Sequence, residues 1–216
     1  HFPQLPVEVF VRHQIDKPVT ITIRQKIIAM NHYSKEIGIQ IGSSMSTAYT
    51  ICENVVNFER EEGRELENLT RLAQWAYQFT PNVSIKAPHS LLLDVTGCLK
   101  LFNGIDNLKK LIRDGLEDLG FEVVIGINGT PLSALLFAES GRLEAPAGSK
   151  VAQSLAPVPI NFLRVEENIK DNLNRMGIIN CEHLFNLPID GLNRRFGVFF
   201  TDYLQRLTGE RLDPQK

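Results

Sequence analysis

A histidine and a serine stand side by side at positions 89 and 90, directly before a short apolar run, Leu91 to Leu93, that ends in Asp94 and a Val-Thr-Gly turn. The run has the composition of a buried strand. His, Ser and Asp are the residue types of a nucleophilic relay, yet adjacent strand residues project to opposite faces, so His89 and Ser90 cannot serve one another as base and nucleophile. No Cys, Asp or second His lies at ligand spacing from His89, which favours a turn or rim role over a metal site. Asp94 reads as a hydrogen-bonding group at a strand end. Farther on, the adjacent Arg194 and Arg195 are accounted for either by phosphate contacts or by a solvated helix face. Gln4-Leu5-Pro6 has a superficial likeness to a sliding-clamp peptide, but such peptides work from mobile tails and this one enters a core.

The elements that must position these residues follow from periodicity. Residues 1 to 10 read as the exit from a strand. Val19 to Ile23 alternates Val-Thr-Ile-Thr-Ile as a half-buried strand does, and Ile27 to Met30 is a candidate second strand. A short helix over Asn31 to Ile37 should stop at Gly38, and Ser44 or Ser46 should cap another running through Ala48 to Cys52. A charged entry, Glu59 to Glu67, leads into a long helix with Leu66, Leu69, Leu72, Ala73, Ala76 and Phe79 on its stripe. Strands at Val83 to Ile85 and Ser90 to Val95 come next, joined by Lys86 to His89. A helix over Ile105 to Leu119, a buried strand over Phe121 to Ile127 and a helix over Leu132 to Glu139 complete a βαββαβ order, the split βαβ of an α+β, ferredoxin-like domain. Ala145 to Ser149 has linker composition. Beyond it the spacing predicts short helices over Val165 to Met176, Glu182 to Leu187, Ile189 to Phe196 and Val198 to Thr208, with a helix-hairpin-helix-like turn at Gly177.

With 216 residues, 43% of them hydrophobic, the chain can bury a sizeable core. The net charge of -2 argues against a strong, unaided nucleic-acid binder, and the C-terminal third carries no more than a slight basic excess. Cys52, Cys98 and Cys181 are far apart, without the spacing of a disulfide framework or a zinc site, so reduced thiols are expected. There is no signal peptide and no apolar run near the roughly 20 residues of a membrane span. A cytoplasmic protein with no membrane partner is the expectation.

In that order and spacing, several segments resemble the Y-family translesion DNA polymerases, most of all their ImuB-type branch. His1-Phe-Pro-Gln-Leu-Pro-Val-Glu resembles the opening of ImuB-type proteins. Gly38-Ile-Gln-Ile-Gly42 with Ala48 and Ile51-Cys52 resembles the fingers, and Leu92-Leu-Asp94-Val-Thr-Gly97 the palm strand. Val124-Ile-Gly126-Ile127 is similar to the last palm strand, and Gly177-Ile178, Leu184-Phe-Asn-Leu-Pro188 and Phe196-Gly197 to the thumb. The resemblance implies a palm of residues 1–10 and 59–149, a small fingers insertion at 11–58 and a helical thumb at 150–216. The family's basic little-finger domain would be expected after Lys216.

The family's chemistry rests on magnesium ions about 3.5 to 4 Å apart, held by carboxylates. In active members an adjacent Asp-Glu pair precedes the Leu-Asp-Val-Thr tetrad, and here those positions carry His89 and Ser90. The first metal-binding aspartate would lie just before His1. Two fingers residues that grip the triphosphate, a Tyr and an Arg, fall on His32 and Lys35, with Tyr33 one residue away. Lysine keeps the charge and loses the bidentate fork. A palm-helix lysine falls on Leu135. In place of a Gly-Ile-Gly thumb hairpin stand Pro159-Ile160-Asn161-Phe162, where proline has no amide hydrogen to offer.

The resemblance therefore implies a non-catalytic adaptor in damage-induced (SOS) translesion synthesis. It implies no cofactor, weak DNA binding, and partners in the sliding clamp, a RecA-like accessory protein and an error-prone replicative-type polymerase. The alternative is an active translesion polymerase with displaced magnesium ligands, Asp94 among them.

Overall fold

The computed structural model of the chain describes residues 1–12, 16–142 and 149–215. They form two compact units, one of Phe2–Val123 and one of His1 with Val124–Lys216.

The first unit opens with α1 (Leu5–Glu8), a single turn with Pro6 near its start, where a proline costs no hydrogen bond. Residues 1 to 10, expected to leave a strand, thus turn into a helix whose Leu5 is fully buried. Next come β1 (Val19–Ile23), β2 (Lys26–Met30), α2 (His32–Glu36), α3 (Met45–Ile51) and β3 (Val56–Glu59). Asn31 caps α2 through Ser34 N, and Ser44 caps α3 through Thr47 N.

The sheet order is β2-β1-β3, antiparallel on one side of β1 and parallel on the other. Periodicity predicts β1 as half-buried, yet Thr20 and Thr22 are as inaccessible as Val19 and Ile21. As the central strand β1 is covered on both faces, and its hydroxyls find partners on β3 (Val56–Glu59). Thr20 Oγ1 donates to Asn57 Oδ1 at 3.1 Å and Thr22 Oγ1 to Glu59 Oε2 at 2.9 Å. β3, which supplies both acceptors, is absent from the sequence reading because its four residues, Val-Asn-Phe-Glu, are too few to show a period.

Helix α4 (Glu62–Ala76), the hairpin of β4 (Val83–Lys86) with β5 (Ser90–Leu93), and α5 (Ile105–Asp118) follow as expected. Phe2, Leu5, Leu69, Leu72, Leu116 and Phe121 share one core, flanked by Trp75 and Leu91. Leu66, assigned to the α4 stripe, is exposed, and Glu65 beside it is buried instead. The strand expected over Phe121–Ile127 is extended chain without a regular ladder. Among the described residues its pairing includes a single exchange, Val124 N to His1 O at 2.9 Å and His1 N to Val124 O at 3.1 Å.

In the second unit α6 (Pro131–Glu139) starts in a capping box between Thr130 and Ser133. It shares a core with α7 (Val151–Leu155), α8 (Glu167–Arg175), α9 (Cys181–Phe185), α10 (Ile189–Phe196) and α11 (Val198–Thr208), centred on Leu136, Leu155, Ile160, Leu173, Leu184 and Leu207. Gly177 turns α8 into α9 at φ +76°, a conformation that disfavours residues with a Cβ. The linker composition at 145–148 lies outside the described residues. The three cysteines are free thiols, and burial pushes Cys181 up to about 12. No helix among the described residues is long and apolar enough to cross a membrane.

Candidate functional site

His89 sits at the end of the tight β4–β5 turn, next to Ser90, the first residue of β5. Ser90 is fully buried and His89 half-buried, so the two point to different environments, as strand alternation requires. The backbone of His89 is anchored by Phe2 N, which donates to His89 O at 2.7 Å. Its ring is held from α4: Nε2 lies 3.3 Å from Glu65 Oε2.

Glu65, with 3% of its side chain exposed, is itself gripped by Arg60, whose Nε and Nη2 donate to Oε1 and Oε2 at 2.8 Å each. This bidentate contact stabilises the charged guanidinium and raises its pKa further. His89, Glu65 and Arg60 therefore form a hydrogen-bonded chain that reaches His89, one of the two positions at which the resemblance puts a metal-binding acid.

Magnesium selects hard oxygen anions, and these residues do not fit it. An imidazole and a buried hydroxyl supply no carboxylate, and Glu65 is committed to Arg60. Asp94 is turned to a local task, accepting from Thr96 N at 3.0 Å, a bond that lowers its pKa. Among the described residues no group of three or more His, Cys, Asp or Glu side chains is placed to hold a metal ion.

His32 and Lys35, the expected fingers positions, are on α2. His32 is exposed, with Nε2 2.7 Å from Glu122 Oε2, and Lys35 is exposed in the last turn. Behind this pair lies Glu8 of α1, whose Oε1 accepts from Glu122 N at 2.7 Å while Oε2 is buried without a partner. Burial pushes the Glu8 carboxyl from its ordinary 4.5 up to about 7, the Glu122 amide working in the opposite direction. Because the folded value lies above the unfolded one, Glu8 favours the folded state most when protonated. Its contribution to stability should therefore fall as pH rises from about 4.5 to about 7. Urea unfolding of wild type and Glu8→Gln across this range checks it: the difference between the two should change in that window and be flat below it.

In the other unit Leu135 is buried in α6, so its side chain offers nothing to a phosphate. Pro159-Ile160-Asn161-Phe162 forms a 3-10 turn with Ile160 inside the core. Arg194 and Arg195 are exposed on α10. Among the described residues neither forms an ion pair, and the Arg195 guanidinium lies 5.8 Å from the Phe196 ring centroid.

The structure thus places His89, Ser90, His32 and Lys35 within one unit, but joins His89 to Glu65 and His32 to Glu122. Neither acid stands out in the sequence. Glu65 and Leu66 are four and three residues before Leu69, so period alone lets either one face the core. The signal in favour of Glu65 is Arg60, five residues before it and outside the helix.

Residues 7–139 match the impB/mucB/samB family. ImuB of Caulobacter vibrioides is 26% identical over 169 residues, covering 75% of this chain and 36% of that protein. DNA polymerase IV of Moorella thermoacetica is 26% identical over 188 residues, covering 81% of this chain and 46% of that protein. The chain spans less than half the length of these two curated relatives. The crystal structure of DinB from Sulfolobus solfataricus matches with a TM-score of 0.70 at 18% identity, over 93% of this chain and 62% of that one, a likeness of fold. The α+β fold is accordingly that of the palm, fingers and thumb of Y-family polymerases, and by a match over more than half of its residues the chain belongs to the impB/mucB/samB family.

Proposed function

We propose that this chain is a non-catalytic Y-family polymerase homologue that acts as an adaptor in damage-induced translesion synthesis. The observation that carries the reading is the His89–Glu65–Arg60 chain, in which the carboxylate beside His89 is committed to Arg60. Residues 1–10 and 59–149 would be its palm, 11–58 its fingers and 150–216 its thumb. His32 and Lys35 would be degenerate remnants of a nucleotide grip.

DNA contact would be weak and without sequence preference, with Arg194 and Arg195 as phosphate contacts. The sliding clamp, a RecA-like accessory protein and an error-prone replicative-type polymerase are the proposed partners. The setting would be the cytoplasm and the SOS response.

Primer extension by the full-length protein with magnesium tests the reading. No incorporation above background is expected. Robust incorporation that Asp94→Ala abolishes would overturn the adaptor and establish a polymerase with displaced ligands. In parallel, binding to primed DNA should weaken steeply with salt, and Arg194→Ala with Arg195→Ala should lower the salt slope by about 2. Salt-independent binding, or none, would make the chain a protein-binding module instead.

A further inference from the structure

Asn-Gly occurs twice in the chain, at 103–104 and at 128–129. In this dipeptide the glycine nitrogen can attack the asparagine side chain, because no Cβ screens it. The fold treats the two pairs in opposite ways.

At 128–129 the reacting groups already face one another. Gly129 N donates to Asn128 Oδ1 at 2.8 Å. That bond puts the carboxamide carbon Cγ about 3 to 3.5 Å from the nitrogen, the separation of a near-attack geometry. The carboxamide is held from its other end as well. Its Nδ2 donates to Ser154 Oγ at 2.9 Å, and Ser154, 4% exposed, is fixed in turn by donating to Val151 O at 2.7 Å. Gly129 is exposed, so hydroxide and water reach it. At 103–104 the glycine nitrogen is engaged elsewhere. Gly104 N donates to Leu99 O at 2.8 Å in the turn that leads into α5, and it must give up that bond before it can react.

We propose that Asn128 is a site of self-modification, an intramolecular deamidation whose co-reactant is water. Hydroxide takes the proton of Gly129 N, and the nitrogen bonds to Asn128 Cγ. The Cγ–Nδ2 bond breaks, and Nδ2 leaves as ammonia with a proton from water. Water then opens the succinimide at one or other carbonyl, giving aspartate or isoaspartate at position 128. The sum is amide plus water to acid plus ammonia, with no oxidation or reduction.

The product changes what surrounds it. A carboxylate in place of the amide withdraws the donor from buried Ser154 and brings a charge beside it. Isoaspartate also adds a carbon to the main chain two residues before Thr130, which caps α6 and donates to Leu207 O of α11 at 3.0 Å. The modified chain should therefore unfold at lower urea concentration. The modification is independent of whether the palm is catalytic.

Incubating the folded chain at mildly alkaline pH, followed by peptide mapping and mass spectrometry, reads both sites in one sample. Position 128 should convert about tenfold faster than position 103, the factor set by the hydrogen bond that Gly104 N must surrender. In the urea-unfolded chain, where the two dipeptides are equivalent, the ratio should fall towards one. Asn128→Gln should abolish conversion at 128 and leave 103 unchanged, because the larger ring it needs closes far more slowly. The proposal is overturned if position 103 converts as fast as 128 in the folded chain, if 128 stays intact while the unfolded chain converts, or if the same ratio persists in urea.

Discussion

Glu65→Ala is expected to destabilise the Phe2–Val123 unit by about 3 kcal/mol, the scale of breaking a largely buried ion pair by removing one partner. The reason is asymmetric. Arg60, with 18% of its side chain exposed, would keep its charge and lose both bidentate hydrogen bonds, and His89 would lose its contact with α4. His89→Ala removes the ring's contact with Glu65 and should cost about 1 kcal/mol. Urea unfolding followed by the fluorescence of Trp75, the single tryptophan, reads the same unit. A double-mutant cycle between Glu65→Ala and Arg60→Leu should return most of the loss as coupling. A Glu65→Ala cost below about 0.5 kcal/mol would show that the pair behaves like an ordinary surface salt bridge. The Glu65–Arg60 pair beside His89 would then have no structural weight.

Gly126→Ala should be at least as damaging, for a steric reason. A Cβ at Gly126 would stand 2.4 Å from Ala138 N and 2.6 Å from Ala134 O, both backbone atoms of α6. Neither can rotate away as the tip of a side chain could, so the segment and the helix must separate. The loss should be about 3 kcal/mol or more, in the range of severe overpacking. Gly63→Ala is the control. It lies in α4 with nothing within 4 Å of the added carbon, and should change stability by less than about 1 kcal/mol, towards greater stability if anything. If both variants unfold at the same urea concentration, the close approach of Gly126 to α6 does not constrain the fold.

The close approach also explains why Val124-Ile-Gly126-Ile127 has a glycine inside it and yet is wrongly read as a regular strand. The sequence records the requirement for a residue without a side chain at 126. It does not record that the segment lies against a helix backbone and exchanges a pair of bonds with His1. The α2 and α3 helices were legible because their signals are local: Asn31 and Ser44 cap within three residues. The short β3 strand was not, since its stability comes from parallel pairing with β1, and nothing within four residues encodes a partner so far away in sequence.

The same distinction applies to the candidate site. The resemblance implied that His89 and Ser90 stand where carboxylates would be needed, that Lys35 stands for a guanidinium and Leu135 for a cation, and residue types alone established only that none of the four is a carboxylate or a guanidinium. Those are one-dimensional facts about which atoms each position can offer. Only the tertiary structure decided what these residues do instead. It buries Ser90 and Leu135, ties His89 through Glu65 to Arg60, and sets His32 against Glu122 above a buried, unpartnered Glu8 oxygen. An ion pair depends on separation in space and on solvent exclusion, and neither is a property of sequence spacing. Glu65 and Glu8 became visible as site residues only when folding brought them next to their partners and took away the water around them.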